Sequence, residues 1–194
     1  AVIGAGSAVH RNIPDYAIAA GNPVTIINKR KEEKNSSELP CVTIGVINYN
    51  GAEVLEKTLE GISKLDYPQI AEIILVDNCS TDKSVELVTD KFPHVTLIES
   101  KENNGPNPAR NMVLNRSKTD LVVLMDNDVI PAPESLQQLI QTKRRFPEAG
   151  VVGAQIRSYH DRDKIQYNGV HIHFAGKAIA HTSPWKEPHR VEGI

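Results

Sequence analysis

The chain has 194 residues, a formal charge of -2, 40% hydrophobic residues and only 5% aromatic ones. This length holds one ordinary domain plus a fragment of another, and the composition suits an aliphatic α/β core. Lys and Arg are scattered rather than striped, which excludes a nucleic-acid footprint. Cys41 and Cys79 are too few for a disulfide framework and lack metal-ligand spacing. No apolar run approaches the roughly 20 residues of a membrane span. A reducing, cytoplasmic setting is expected, with peripheral contact at the inner face of a membrane left open. The sequence lacks an initiating Met and starts within a pattern, as expected of an internal piece of a longer protein.

Ile3 and Val9 stand six apart, with Gly4, Ala5, Gly6, Ser7 and Ala8 between them. Aliphatics every sixth residue among small ones fill the narrow interior of a left-handed β-helix. With Ile13-Pro14 and Ala19-Ala20-Gly21-Asn22-Pro23, residues 1–28 resemble the last coil and tail of hexapeptide-repeat acyltransferases. The resemblance implies a tail that helps bind acetyl-CoA in a complete acyltransferase, and oligomerisation through its full β-helix. Thr25 stands where that family often has Lys. One coil cannot bury such a core, so this zone is expected to be inactive alone. Residues 29–40 are charged and polar without apolar periodicity, and read as a solvated linker.

From Cys41 to the end, the pattern alternates strands with helices. Residues 42–48 read as a strand stopped by Tyr49-Asn50-Gly51, and Val54, Leu55, Leu59 and Ile62 then recur at helical spacing. A second strand over 70–76 precedes a helix carrying Val85, Leu87, Val88 and Phe92, with Ser80 or Thr81 as its expected cap. A third strand spans 95–98. Asn107 and Pro108 read as the N-cap and first residue of a helix reaching Leu114. A fourth strand spans 121–125, and Pro133 opens a helix with Leu136, Leu139 and Ile140 inward. Further β-like runs cover 151–156 and 170–174. Such alternation predicts a mostly parallel sheet with right-handed crossovers.

Two strands end in acidic and amide clusters, Asp77-Asn78-Cys79-Ser80-Thr81-Asp82 and Asp126-Asn127-Asp128. Parallel sheets bind ligands at the carboxyl ends of their strands. Alternating carboxylates there can chelate a hard cation that also holds diphosphate oxygens; alternatively, Asp and Asn merely terminate a strand. Asp77 can accept from a base imide or ribose hydroxyl, act as a phosphoacceptor, or serve a turn. Cys79 stands where Gly would be easier, and reads as a small buried residue. Arg110, in a first helical turn where a cation opposes the helix dipole, is either ligand-facing, acid-paired or simply at the surface. His171 and His173 share a strand face, but no third zinc ligand is evident, and His160-Asp161-Arg162-Asp163 reads as a turn.

Taken together, Val46-Ile47-Asn48-Tyr49-Asn50-Gly51, Ile74-Leu75-Val76-Asp77-Asn78-Cys79-Ser80-Thr81-Asp82, Asn103-Asn104-Gly105 with Ala109-Arg110-Asn111, and Leu124-Met125-Asp126-Asn127-Asp128 resemble family 2 glycosyltransferases of the GT-A fold, over roughly 40–180. Ile165-Gln166-Tyr167-Asn168-Gly169 is similar to a segment of rhamnosyltransferase-like members. The resemblance implies a donor-binding domain over 41–194. Asn48 and Tyr49 would line the nucleoside pocket, Asp77 with neighbouring Asn78 would meet the base, and Arg110 the base or diphosphate. Asp126, with Asn127 beside it, would contact ribose and metal, and Asp128 would be the main ligand of Mg or Mn. The implied reaction is inverting transfer from a nucleotide-diphosphate sugar to a glycan or lipid-linked hydroxyl. Its general base is expected in a Glu-Asp motif beyond Ile194. Cys79 replaces the family's usual Gly, and Asn107-Pro108 occupies a stretch that is often small and apolar.

The competing reading is a catalytically incomplete nucleotide-sugar-binding module of a bifunctional acyltransferase-glycosyltransferase. A nucleotidyltransferase ranks low, because no Gly-rich basic loop follows the first strand. A receiver-type domain would need an acidic cluster where this chain has Asn48-Tyr49-Asn50.

Overall fold

A computed structural model describes residues 39–168 and, outside them, short strands whose backbone alone is considered, apart from the exposed Ile26. The chain divides into two units, Ala1–Glu134 and Ser135–Ile194. In the first, strands β1 (Val2–Ile3), β2 (Ala17–Ala20) and β3 (Thr25–Lys29) form a small sheet in that order. β1 pairs with β2 in parallel, Val2 opposite Ile18, while β2 and β3 are antiparallel. Ile13-Pro14, the remaining small residues of the expected acyltransferase-like coil and most of the linker lie outside the described residues.

The main sheet comprises β4 (Val42–Asn48), β5 (Ile70–Asp77), β6 (Thr96–Glu99) and β7 (Leu121–Asp126), in the order β6-β5-β4-β7, with every pair parallel. All of β4 is buried, as a central parallel strand requires. From β4 the chain steps through α1 (Leu55–Ser63) to β5 and through α2 (Ser84–Lys91) to β6. It then reverses through α3 (Pro106–Arg116) to β7, on the far side of β4. Right-handed crossovers therefore put α1 and α2 on one face and α3 on the other. Strand alternation agrees: Ile47, Ile74 and Val76 pack with Ala109 and Val113 of α3, joined by Val122 and Leu124. A Cβ on Gly45 would strike Val113 and come within 3.0 Å of Leu124, so α3 lies directly on β4 there. Burying each such aliphatic contributes roughly 1.5–3 kcal/mol.

Two helix starts differ from the sequence reading. α2 begins at Ser84 rather than after Ser80 or Thr81. Its amide end is met by Asp82, whose carboxylate accepts from Ser84 N at 3.0 Å and Ala52 N at 2.9 Å. α3 begins at Pro106, with Gly105 as N-cap at φ 84. A side chain is disfavoured at that angle, and Pro106 supplies the fixed φ of a first helical residue, so the turn closes before Asn107.

In the second unit, α4 (Ser135–Arg145) buries Leu136 and Ile140 and gathers Lys143, Arg144 and Arg145 in its last turn. Cations there suit the helix dipole. The strand expected over 151–156 shrinks to β8 (Ile156–Arg157), paired antiparallel with β9 (Ile165–Tyr167), and Val151 is 74% exposed. The preceding apolar run has no paired strand among the described residues. β10 (Val170–Ile172) and β11 (Ala178–Ala180) are antiparallel; His173 lies outside the described residues, so the His171 and His173 pairing does too. Among the described residues, no helix is long and apolar enough to cross a membrane.

Candidate functional site

The order of strands reverses at β4, and a doubly wound sheet opens its ligand crevice at such a point. In-register pairing sets Asn48 against Asp77 and Ile47 against Asp126, so the three acidic or amide strand ends share one rim. Alternation sorts them by face. Asn48, Asp77 and Asn127 turn toward the α1 side, whereas Asn78 and Asp126 turn toward α3.

On the α1 side the groups bind one another. Asn48 is 0% exposed and donates through Nδ2 to Asp77 Oδ1 at 2.8 Å and Ser80 Oγ at 3.2 Å. Its Oδ1 accepts from Asn127 Nδ2 at 2.7 Å. Asp77, 2% exposed, also accepts from Ser80 Oγ at 2.6 Å and Ser80 N at 2.8 Å. Thr58 of α1 donates to the Asn127 carbonyl at 2.7 Å. Cys79 follows at φ 65, a left-handed turn position, and is half-buried. Nearby, Asn50 Oδ1 accepts from Thr81 N at 2.8 Å.

On the α3 side the groups are open. Arg110 Nη2 meets Asp126 Oδ1 at 2.7 Å, which satisfies the cation expected to seek an acid or a ligand, and its Nη1 reaches Asn107 Oδ1 at 3.2 Å. Asp126 is exposed, and so is Asp128, whose side chain has no hydrogen bond or ion pair to the described residues. Asn78 is 4% exposed; its Nδ2 donates to Asn103 Oδ1 at 2.7 Å and Gly105 O at 3.1 Å, while its Oδ1 has no partner among the described residues. It lines a cleft of about 450 Å³ with Glu99, Lys101, Asn104, Pro108 and Met112. Tyr49 stands 49% exposed just past β4. The sequence reading missed Gly51 and Thr58, and took Ser80 for a cap. A Ser three residues after a strand-end Asp was the available signal for the turn it makes.

This motif order has a match in kind. Residues 43–194 fit the model of "Glycosyl transferase family 2". The chain belongs to glycosyltransferase family 2. An uncharacterized glycosyltransferase of Haemophilus influenzae is 29% identical over 141 residues, 66% of this chain and 56% of that protein. The poly-beta-1,6-N-acetyl-D-glucosamine synthase of Staphylococcus aureus is 27% identical over 63% of this chain and 30% of its own. Among solved structures, the mannosyltransferase PcManGT of Pyrobaculum calidifontis, bound to GDP-Man and Mn2+, is 26% identical with a TM-score of 0.53, covering 71% of this chain and 41% of that one. TarS of S. aureus in complex with UDP, 24% identical with a TM-score of 0.50 over 54% of this chain and 32% of its own, shares the fold. The family 2 domain thus has the GT-A architecture expected from its motifs, and the chain spans between 30% and 56% of these relatives.

Proposed function

We propose that this family 2 domain is the donor half of an inverting glycosyltransferase, which moves a sugar from a nucleotide-diphosphate sugar to a hydroxyl of a glycan or lipid-linked acceptor. The observation that carries the reading is the α3 side of the rim: Arg110 paired with Asp126, an exposed Asp128 with no partner among the described residues, and a cleft lined by Asn78. Exposed Tyr49 offers an aromatic face to a base, and Asn78 Oδ1, without a partner among the described residues, offers an acceptor to a base N–H. The Arg110 guanidinium has the paired N–H donors that suit a diphosphate.

The donor set suits Mg2+ or Mn2+. Asp126 and Asp128 supply two hard oxygen ligands, and no group of three His, Cys, Asp or Glu is gathered among the described residues. Such ions take one or two carboxylates and complete their shell with phosphates and water. A bound ion supplies charge neutralisation for the departing nucleoside diphosphate. Arg110 holds Asp126 through Oδ1 and leaves Oδ2 for a ligand. Inversion further requires a carboxylate within hydrogen-bond reach of the acceptor hydroxyl, and none of the described residues is assigned that role.

A second reading, a nucleotide-sugar-binding module joined to an acyltransferase-like coil, is supported by the parallel β1–β2 pairing. Calorimetric titration with UDP, dTDP and GDP, with and without Mn2+, tests the site. Metal-dependent binding of one nucleotide, lost in Asp128→Ala, is expected; equal binding by that variant would overturn the assignment.

A further inference from the structure

Three residues expected to touch the donor are bound to each other. We propose that Asp77, Asn48 and Asn127 form a positioning relay that aims the Asp126 and Asp128 carboxylates from behind, without contacting the nucleotide. This rests on the donor-site reading above.

The direction of the relay is determined by its chemistry. An ionised carboxylate only accepts, so Asn48 must turn its Nδ2 to Asp77 and its Oδ1 the other way. That oxygen faces Asn127 at 2.7 Å, so position 127 must donate. The amide of Asn127 therefore points into the α1 side, and its backbone is held by Thr58. With the middle residue of Asp126-Asn127-Asp128 pinned inward, its two neighbours are left on the exposed side of the rim. Gly51 lies against this contact: a Cβ there would collide with Asn127 Nδ2 and Asn48 Oδ1 and come within 2.9 Å of Asn127 Cγ. The chain thus keeps a glycine where any side chain would part the two amides. Buried polar groups are retained where they are partnered, as Asn48 and Asp77 are.

The discriminating variant is Asn127→Asp. If residue 127 faced the cation, a third carboxylate would tighten Mn2+. In the relay it sets acceptor against acceptor, and Mn2+-dependent nucleotide binding should weaken ten-fold or more, the usual scale for residues that orient metal ligands. Asn127→Ala should weaken it similarly in the folded variant, at a lowered nucleotide-free melting temperature, because the buried Asn48 Oδ1 loses its partner. Calorimetry with Mn2+ and UDP or GDP on the 194-residue chain reads both, beside Asp128→Ala. Unaltered or tighter Mn2+ binding by Asn127→Asp overturns the relay. If the parent chain binds neither nucleotide, the donor-site reading fails, and amide exchange decides the relay separately. Side-chain NH2 protons of Asn127 protected from solvent in both the parent and Asp128→Ala support it; exchange at the free-amide rate overturns it.

Discussion

Cys79 occupies φ 65 where a Cβ is disfavoured, and its Sγ makes a long contact of 3.6 Å to the Lys101 carbonyl. A left-handed L-residue costs about 1–2 kcal/mol, part of which Gly returns through greater freedom of the unfolded chain. Cys79→Gly should therefore raise stability by about 0.5 kcal/mol, measured as a higher urea midpoint at unchanged slope. Gly51 behaves oppositely, because space rather than φ requires it. Gly51→Ala should separate Asn127 from Asn48 and leave buried amide groups unpaired, at a cost of about 1–3 kcal/mol. Urea unfolding checks that cost, and calorimetry should show weaker Mn2+-dependent nucleotide binding in the folded variant.

At the scale of elements, the start of α2 depends on a carboxylate two residues before the helix. Burial acts to raise the Asp82 pKa and is its largest single influence, but hydrogen bonds from the Ser84 hydroxyl and the Ala52 and Ser84 amides together outweigh it. Asp82 therefore titrates below its ordinary 3.8 in the folded chain. A lowered folded-state value contributes stability above the ordinary value, and this is lost as pH falls through the folded one. Urea midpoints should accordingly drop below about pH 4, and this component should be missing in Asp82→Asn. Asp82→Ala should lose about 1 kcal/mol at neutral pH, as for other helix caps. The seat of α3 on the sheet is equally exacting. Gly45→Ala places a methyl against Val113 and Leu124 and should destabilise by about 1–3 kcal/mol, read from the same unfolding curves.

At the scale of the molecule, one sheet separates two kinds of polar chemistry. The α1 face of the rim is closed and self-satisfied, while the α3 face is open and charged. A donor site on the open face can bind nucleotide without the acceptor-side machinery. The 194-residue chain should therefore bind a nucleotide diphosphate with Mn2+ whether or not it transfers sugar to an acceptor. A radiolabelled-donor assay that detected efficient transfer would show that the chain already holds its general base.

Much of this was legible in the chain itself. Apolar runs of strand length, broken by Asn48-Tyr49-Asn50, Asp77-Asn78 and Asp126-Asn127-Asp128, placed the parallel strands and the polar residues at their ends, because period and composition are local properties. Helix starts were less legible: Gly105 acts through a positive φ and Asp82 through a bond to Ala52, and neither appears in apolar spacing. Which polar residues face a ligand and which face each other was decided only by the tertiary structure. The reversal of strand order at β4 sets the register of three strand ends, and that register turns Asn48, Asp77 and Asn127 together while leaving Asp126 with Arg110 on the other face.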